Sequence, residues 1–228
     1  MENRKPFELK NLILVYNAFQ VMFSLWLVYE FLVSGWWNEY SFKCQPIDQR
    51  NSGNPLRMAK VSWWYFISKF TEFTDTFFFV LRKKFNHISV LHIIHHGLMP
   101  MSGKCKDLRN KFKLRLSFLV WWGLKFLPGG HSTFFGMANA SVHAIMYFYY
   151  FLAALGPEYQ KYLWWKKHLT TLQMAQFIII MYHAFQLLFI DCEYPNALAY
   201  FIGCHAIGFF ILFAFYFKQT YGVKKKQK

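Results

Sequence analysis

The sequence predicts an all-α membrane protein that crosses the bilayer several times. Of its 228 residues, 55% are apolar and only 16% are charged, whereas about a quarter of the residues of a soluble domain are charged. The apolar residues form runs of about 20, the length that a helix needs to span a bilayer. Lys and Arg outnumber Asp and Glu by 26 to 11. Because they flank the apolar runs, they indicate membrane helices rather than a nucleic-acid-binding surface.

Six helices are expected to cross the membrane. Five apolar runs are long enough by themselves, at 12–35, 61–81, 132–155, 169–190 and 197–217. Two shorter runs, 88–101 and 118–127, are expected to form one more helix together. Residues 1–228 are therefore interpreted as a single membrane domain that ends in a basic tail at 218–228.

An even number of helices places both termini on the same side of the membrane. Basic residues are enriched on the cytosolic side of membrane proteins, and under this topology thirteen basic residues near the ends of the runs fall on the side of the termini. They are Arg4, Lys5, Lys10, Arg82, Lys83, Lys84, Lys161, Lys166, Lys167 and four lysines within 224–228. Both termini are therefore predicted to be cytosolic. Residues 225–228 fit a dilysine retrieval signal for the endoplasmic reticulum, and a plain basic juxtamembrane tail is an equally open interpretation.

Two cysteines fall on the other, luminal side. Cys44 and Cys192 each lie just beyond an apolar run, and an oxidising compartment permits a disulfide there. We hypothesise that these two residues are bridged.

Function is sought among the polar residues inside the apolar runs, because such residues are costly in lipid and usually face a cavity. Four clusters have members three or four residues apart, which places them on one helix face. They are Lys69, Glu72, Asp75 and Thr76; His92, His95 and His96; Asn139, His143 and Tyr147; and Thr170, Gln173 and Gln176. Three of these clusters alone also fit ion pairs or hydrogen bonds between helices, whereas packing alone hardly explains the histidine cluster. Four polar stripes that all face the interior of the bundle together indicate a chamber lined by polar side chains.

The histidine cluster suits two chemistries, metal ligation and acid-base or nucleophilic catalysis. A di-iron lipid desaturase or hydroxylase would need several histidine boxes. This chain has one box, and its other histidines are scattered. No metal is therefore expected.

The order and spacing of these residues resemble the ELO family, the membrane-bound elongases of very long chain fatty acids, and animal members most of all. Nearly the whole chain takes part in the resemblance. The matching strings are Lys69-x-x-Glu72-x-x-Asp75-Thr76, Leu81-Arg82-Lys83-Lys84, His92-x-x-His95-His96, Asn139-x-x-x-His143-x-x-Met146-Tyr147-x-Tyr149-Tyr150 and Thr170-x-x-Gln173-x-x-Gln176. A single histidine box is weak evidence, but these strings in this order are specific.

The resemblance implies the condensing step of microsomal elongation. A long-chain acyl-CoA and malonyl-CoA would give a 3-oxoacyl-CoA, CO2 and CoA, with no cofactor beyond the two substrates. It also implies six transmembrane helices in an inverted barrel around an acyl tunnel that opens to the cytosol. The reductases and the dehydratase of the elongation cycle are expected as partners in the same membrane. The apolar, aromatic-rich exterior leaves room for a homodimer, and no nucleic acid is expected.

The resemblance also implies a role for each site residue. His95 is expected to be a nucleophile that carries an acyl-imidazole intermediate. The rest of the catalytic set is His92, His96, His143 and Asn139. Contacts to the CoA-bearing substrates are expected from Lys69, Arg82, Lys84, His87, Tyr149, Lys166, Thr170 and Gln173. Residues expected to hold the site together are Glu72, Asp75 and Gln176.

Three departures from the family pattern are expected to matter. The family's first, outer helix is interpreted as absent, because the chain begins at the segment that normally leads into the second helix. His87 stands where relatives usually have glutamine. Residues 102–117 are interpreted as an insert in the middle of the histidine-box helix, and cations within it would be costly at membrane depth.

Two other functions compete with this interpretation. The polar stripes would also suit a membrane protein that binds acyl-CoA or lipid without turnover, and a split histidine-box helix favours such an inactive relative. A channel or transporter would need a path open on both faces, and nothing in the apolar runs indicates a luminal opening.

Overall fold

The computed structural model describes residues 6–83 and 129–222, and every regular element in these two ranges is helical. The α-helices are α1 (Lys10–Phe31), α2 (Gly53–Glu72), α3 (Thr74–Leu81), α4 (Thr133–Leu155), α5 (Lys166–Phe185) and α6 (Asn196–Tyr221). A π turn, Leu32–Trp36, continues α1, and short 3₁₀ turns occupy Gly130–Ser132, Pro157–Tyr162 and Gln186–Leu188. The predicted all-α class is confirmed for this part of the chain.

Three of the described stretches are long and apolar enough to cross a membrane, namely Lys10–Trp36, Lys166–Leu188 and Asn196–Tyr221. They coincide with three of the predicted runs, so the structure agrees with a membrane protein. The helices α2 and α4 are not apolar enough to meet the same criterion. They carry the buried polar residues Lys69, Glu72, Asn139 and His143. Six crossings stay a prediction, since the runs 88–101 and 118–127 lie outside the described residues, as does the interpreted insert at 102–117.

The second helix begins earlier than its apolar run. The sequence predicts a start at residue 61, whereas α2 begins at Gly53. Hydropathy misses the first two turns because they contain Arg57 and Lys60. The Arg57 guanidinium forms two hydrogen bonds with the Glu30 carboxylate of α1, from Nε at 2.7 Å and from Nη2 at 2.9 Å. This ion pair joins the first two helices in a segment that lies before the predicted apolar run.

The bundle is held together by close packing between α1 and α4 and between α5 and α6. A Cβ atom at Gly136 of α4 would lie only 2.9 Å from the Phe31 ring, so glycine lets α4 approach α1 closely. On the other side, Phe177 of α5 packs against Phe209 and Phe213 of α6. The polar stripes of α2 and α4 lie between these two apolar contacts.

The hypothesised bridge between Cys44 and Cys192 is confirmed, with 5.8 Å between the two Cα atoms. The end of the bundle at which it lies is called the disulfide end below. The Gln45 carbonyl oxygen accepts a hydrogen bond from the His131 backbone N–H at 2.9 Å, and Gln186 Nε2 donates to the Phe42 carbonyl oxygen. Helices α1 and α5 run toward this end, whereas α2, α4 and α6 run away from it.

Replacing Cys44 with serine should lower the free energy of unfolding by about 2–4 kcal/mol, because the bridge closes a loop of 148 residues in the unfolded chain. Thermal unfolding in detergent would measure the loss. Cys204, an exposed free cysteine, provides the control, since Cys204→Ser should leave the melting temperature unchanged. A reducing agent should lower the melting temperature of the wild type to that of Cys44→Ser. An unchanged melting temperature in Cys44→Ser would contradict the stabilising role.

Candidate active site

The centre of the bundle contains a buried ionic cluster formed by α2 and α4. Lys69 Nζ donates hydrogen bonds to Glu72 Oε1 at 2.6 Å and to Asn139 Oδ1 at 2.7 Å. The Tyr65 hydroxyl donates to the same amide oxygen at 2.9 Å, and the ammonium group lies 4.7 Å from the centre of the Tyr65 ring. Two of the predicted clusters, on α2 and on α4, are therefore joined by direct hydrogen bonds.

The burial of this ion pair has a physical consequence. Lys69 and Glu72 are each only 5% exposed, and removing two charges from water costs more than a surface ion pair recovers. The cluster is stable only because each charge has several partners. Such an arrangement is a weak source of stability and is typical of functional sites in membrane helices.

Glu72 also lies beside an imidazole. Its Oε1 lies 3.1 Å from His143 Nδ1, and His143 is buried near the middle of α4. The contact is electrostatic, because the Nδ1 atom does not meet the geometry of a hydrogen bond to this carboxylate. It places the negative charge of Glu72 against the imidazole ring inside the buried cluster.

A second set of hydrogen-bonded polar side chains lies beside the ionic cluster, and it includes residues of α1. The Tyr147 hydroxyl, one turn after His143, donates to Asp75 Oδ2 at 2.7 Å. The Tyr16 hydroxyl of α1 donates to the Thr71 carbonyl oxygen at 3.0 Å, and Gln20 Nε2 donates to that hydroxyl at 2.9 Å. The rings of Tyr16 and Tyr147 meet edge to face with centroids 6.1 Å apart.

The break between α2 and α3 explains why Glu72 and Asp75 have different partners. Backbone hydrogen bonds at Phe73 span three residues instead of four, from Phe73 to Phe70 and from Thr76 to Phe73. The helix is therefore wound more tightly between the two carboxylates. On either side of this break, Glu72 contacts His143 and Asp75 contacts Tyr147.

Helix α5 supplies the fourth predicted cluster, and its members differ in their partners. The Thr170 hydroxyl donates to the Lys166 carbonyl oxygen of its own helix at 3.3 Å. Gln173 Nε2 lies 3.5 Å from the Met146 sulfur of α4, a weak acceptor. Gln176 is buried, and its Nε2 has no hydrogen-bond partner among the residues that the structure describes.

A model of the GNS1/SUR4 family, also described as ELO, matches residues 1–104 and 112–228. The chain belongs to this family. Over its full length it is 55% identical to a very long chain fatty acid elongase of Aedes aegypti and 54% identical to very long chain fatty acid elongase 7 of Drosophila melanogaster. It is also 44% identical, over 97% of its length, to very long chain fatty acid elongase 7 of Rattus norvegicus, of which it covers 73%.

The chain spans 59% and 64% of the length of the Aedes and Drosophila relatives. The family resemblance noted in the sequence is thereby confirmed. The residues that the family model leaves unmatched, 105–111, lie within the segment interpreted as an insert.

The structure brings together some of the predicted site residues and does not describe others. Joined in the buried cluster are Lys69, Glu72, Asn139 and His143. The residues Lys84, His87, His92, His95 and His96 lie outside the described ranges. At the end opposite the disulfide, Arg82 follows α3 and Lys166 is exposed at the start of α5, while the Tyr149 ring packs edge to face on Trp165, with centroids 5.1 Å apart. Within residues 6–83 and 129–222, no three metal-ligating side chains come together.

Sequence reasoning missed the contributions of Tyr16, Gln20 and Tyr65. Polar residues on α1 do carry a signal, since Asn17, Gln20 and Ser24 recur at spacings of three and four, and all are buried. Tyr65 lies one turn before Lys69 and has no such signal, because a tyrosine in an apolar run also fits the lipid interface.

Proposed function

We propose that this protein is a condensing enzyme of fatty-acid elongation, a very-long-chain 3-oxoacyl-CoA synthase. It joins a long-chain acyl-CoA with malonyl-CoA and releases CO2 and CoA. It acts in the endoplasmic reticulum membrane with both termini in the cytosol, beside the reductases and the dehydratase that process its product. The substrates need no further cofactor.

The observation that carries this proposal is the buried cluster of Lys69, Glu72, Asn139 and His143 in a chain of the GNS1/SUR4 family. A bundle that only needed to pack would gain little from two buried charges. A bundle that places an imidazole inside lipid for acid-base chemistry can use a carboxylate beside it, and a buried carboxylate in turn needs a cation. Lys69 and Glu72 meet these two needs.

The first half-reaction transfers the acyl group to the enzyme. A nitrogen of His95 attacks the thioester carbonyl carbon, the new C–N bond replaces the C–S bond, and the imidazole proton ends on the departing CoA sulfur. The products are an acyl-imidazole and CoA. Neutral imidazole can act as the nucleophile because it has a free electron pair near neutral pH.

The second half-reaction forms the carbon–carbon bond. Malonyl-CoA loses its carboxylate as CO2, and the electron pair left on carbon attacks the acyl carbon of the acyl-imidazole. The C–N bond breaks as the C–C bond forms, and the departing imidazole nitrogen takes up one proton from the medium. His143, which lies beside the Glu72 carboxylate, acts in this step as an acid-base group.

The arrangement of the helices supports entry of CoA from the end opposite the disulfide. Arg82, Tyr149 and Lys166 all lie at that end, and fixed cations there would pair with CoA phosphates. His143 lies six residues from Tyr149 on α4, a distance of about 9 Å along the helix. The thioester would thus reach the buried cluster while the nucleotide stays at the surface.

Six crossings in an inverted barrel agree with the two described ranges. The first range ends at Lys83, opposite the disulfide, and the second begins at Gly129, at the disulfide end. The proposal is that the predicted runs 88–101 and 118–127 form the sixth crossing. Exposed aromatic side chains along α1, among them Phe19 and Trp26, suit a lipid-facing exterior, and they also leave room for a homodimer.

The proposal is tested by incubating the purified protein with a series of acyl-CoAs and malonyl-CoA labelled in its free carboxyl group. The expected result is release of labelled CO2 that depends on the acyl-CoA, together with a 3-oxoacyl-CoA two carbons longer. Acyl-CoA binding without release of CO2 would contradict the proposal and would identify the chain as a binding protein.

A further inference from the structure

We infer that Gln176 donates a hydrogen bond from its side-chain amide to the thioester carbonyl oxygen of the substrate, which makes it a further catalytic residue. This inference rests on the proposed condensation. It assigns a contact with the reacting atoms to a residue that the sequence predicts to be structural.

The first support is the unpartnered state of this amide. Gln176 is 5% exposed, and within residues 6–83 and 129–222 its Nε2 has no hydrogen-bond partner. A buried polar group without a partner loses its hydrogen bonds to water and gains nothing in return, so it is rare in native structures and calls for an explanation. A ligand that supplies the missing acceptor is such an explanation.

The second support is the direction in which Gln176 faces. Gln176 and His183 are seven residues apart, which places them on the same face of α5. The His183 ring lies in the interior, with its centroid 3.8 Å from that of His131 and 4.1 Å from that of Phe134. The next residue, Phe177, packs instead on α6 against Phe209. Gln176 therefore faces the interior of the bundle and not its neighbour α6.

The third support is the depth of Gln176 in the bundle. Helices α4 and α5 are antiparallel, and Met146 contacts Gln173 toward one end while Phe134 contacts His183 toward the other. His143 lies three residues before Met146 on α4, and Gln176 lies three residues after Gln173 on α5. The amide thus lies at the level of the imidazole that contacts Glu72.

The chemistry of an amide donor suits an oxygen that becomes charged during the reaction. When a nucleophile adds to the thioester, the carbonyl oxygen takes up the electron pair of the C=O bond, and the pair returns when the C–S bond breaks. A fixed N–H group stabilises that oxygen most at the transition state. Lys69 is engaged with Glu72 and Asn139, whereas the Gln176 amide has an N–H group to offer.

The test compares Gln176→Leu with the wild type in the CO2-release assay. We expect kcat to fall by about 10²–10³-fold, the loss typical for one oxyanion donor, while the KM values for both substrates change by less than about 3-fold. Gln176→Glu, which keeps the shape but has no N–H donor, should be at least as slow and serves if the leucine variant does not fold. Thr171→Ala, at an exposed position of α5, should leave kcat unchanged.

An infrared measurement separates this role from a structural one. With acyl-CoA carrying 13C at the thioester carbonyl, the band of the bound carbonyl should lie at higher frequency in Gln176→Leu than in the wild type. A wild-type kcat in that variant, or an unshifted band, would overturn the inference while leaving the condensation intact. A wild type that releases no CO2 would overturn the proposed function instead, and the band would then still report whether Gln176 contacts the carbonyl.

Discussion

Alanine at position 95 should abolish acyl transfer in a protein that remains folded. Removing a nucleophile eliminates the covalent route, and losses on the order of 10⁶-fold are known for such residues. The effect is best measured without malonyl-CoA, where the wild type should release one CoA per active chain and gain the mass of one acyl group. His95→Ala should show neither. His168→Ala provides the matched control, because His168 is exposed at the start of α5 and contacts Trp164 rather than the buried cluster.

His143→Ala should slow the formation of the acyl-enzyme, whereas His95→Ala should prevent it. An acid-base group contributes about 10²–10⁴-fold, so the acyl-enzyme should still form in His143→Ala, but slowly. Peptide mapping of the trapped species should locate the acyl group on the peptide that contains His95. Acyl groups on the peptide that contains His143, or full CoA release by His95→Ala, would refute the assignment of the nucleophile.

The sequence predicts helix faces well and the contacts between helices poorly. Spacings of three and four place Lys69 with Glu72, and Asn139 with His143, on one face each, because the helical repeat is a property of a single chain segment. The hydrogen bond from Lys69 to Asn139 depends on the rotation and depth of two helices, and no spacing within either helix specifies these. The bridge between Cys44 and Cys192 could be predicted because sidedness alone brings two loops to the same end.

Hydropathy identifies lipid contact rather than helical structure, which explains where the boundaries differ. The start of α2 was missed because Arg57 and Lys60 lie in helical turns outside the apolar run. Tyr16 and Gln20 were missed for the converse reason. They lie inside an apolar run whose outer face contacts lipid, so hydropathy does not distinguish two polar residues on its inner face. Their role becomes visible only from their hydrogen bonds to Thr71 of α2.

Single substitutions in the buried ion pair should destabilise the protein far more than loss of both charges. Lys69→Met leaves the Glu72 carboxylate buried beside His143 without its cation, and breaking a buried pair in this way costs about 3–5 kcal/mol. The double variant Lys69→Met, Glu72→Gln removes both charges, so most of that loss should be recovered. Thermal unfolding of the two single variants and the double variant in detergent gives the coupling energy.

The exposed pair of Asp48 and Arg50 provides the control for this cycle. The Arg50 side chain is 74% exposed, and because exposed ion pairs contribute only about 0–1 kcal/mol, Arg50→Met should barely change the melting temperature. The double variant at positions 69 and 72 should nevertheless have little activity, since His143 loses the carboxylate charge that lies 3.1 Å from its ring nitrogen. A folded double variant with wild-type condensation would show that the ion pair is structural alone, and a simple sum of the two single losses would contradict the coupling.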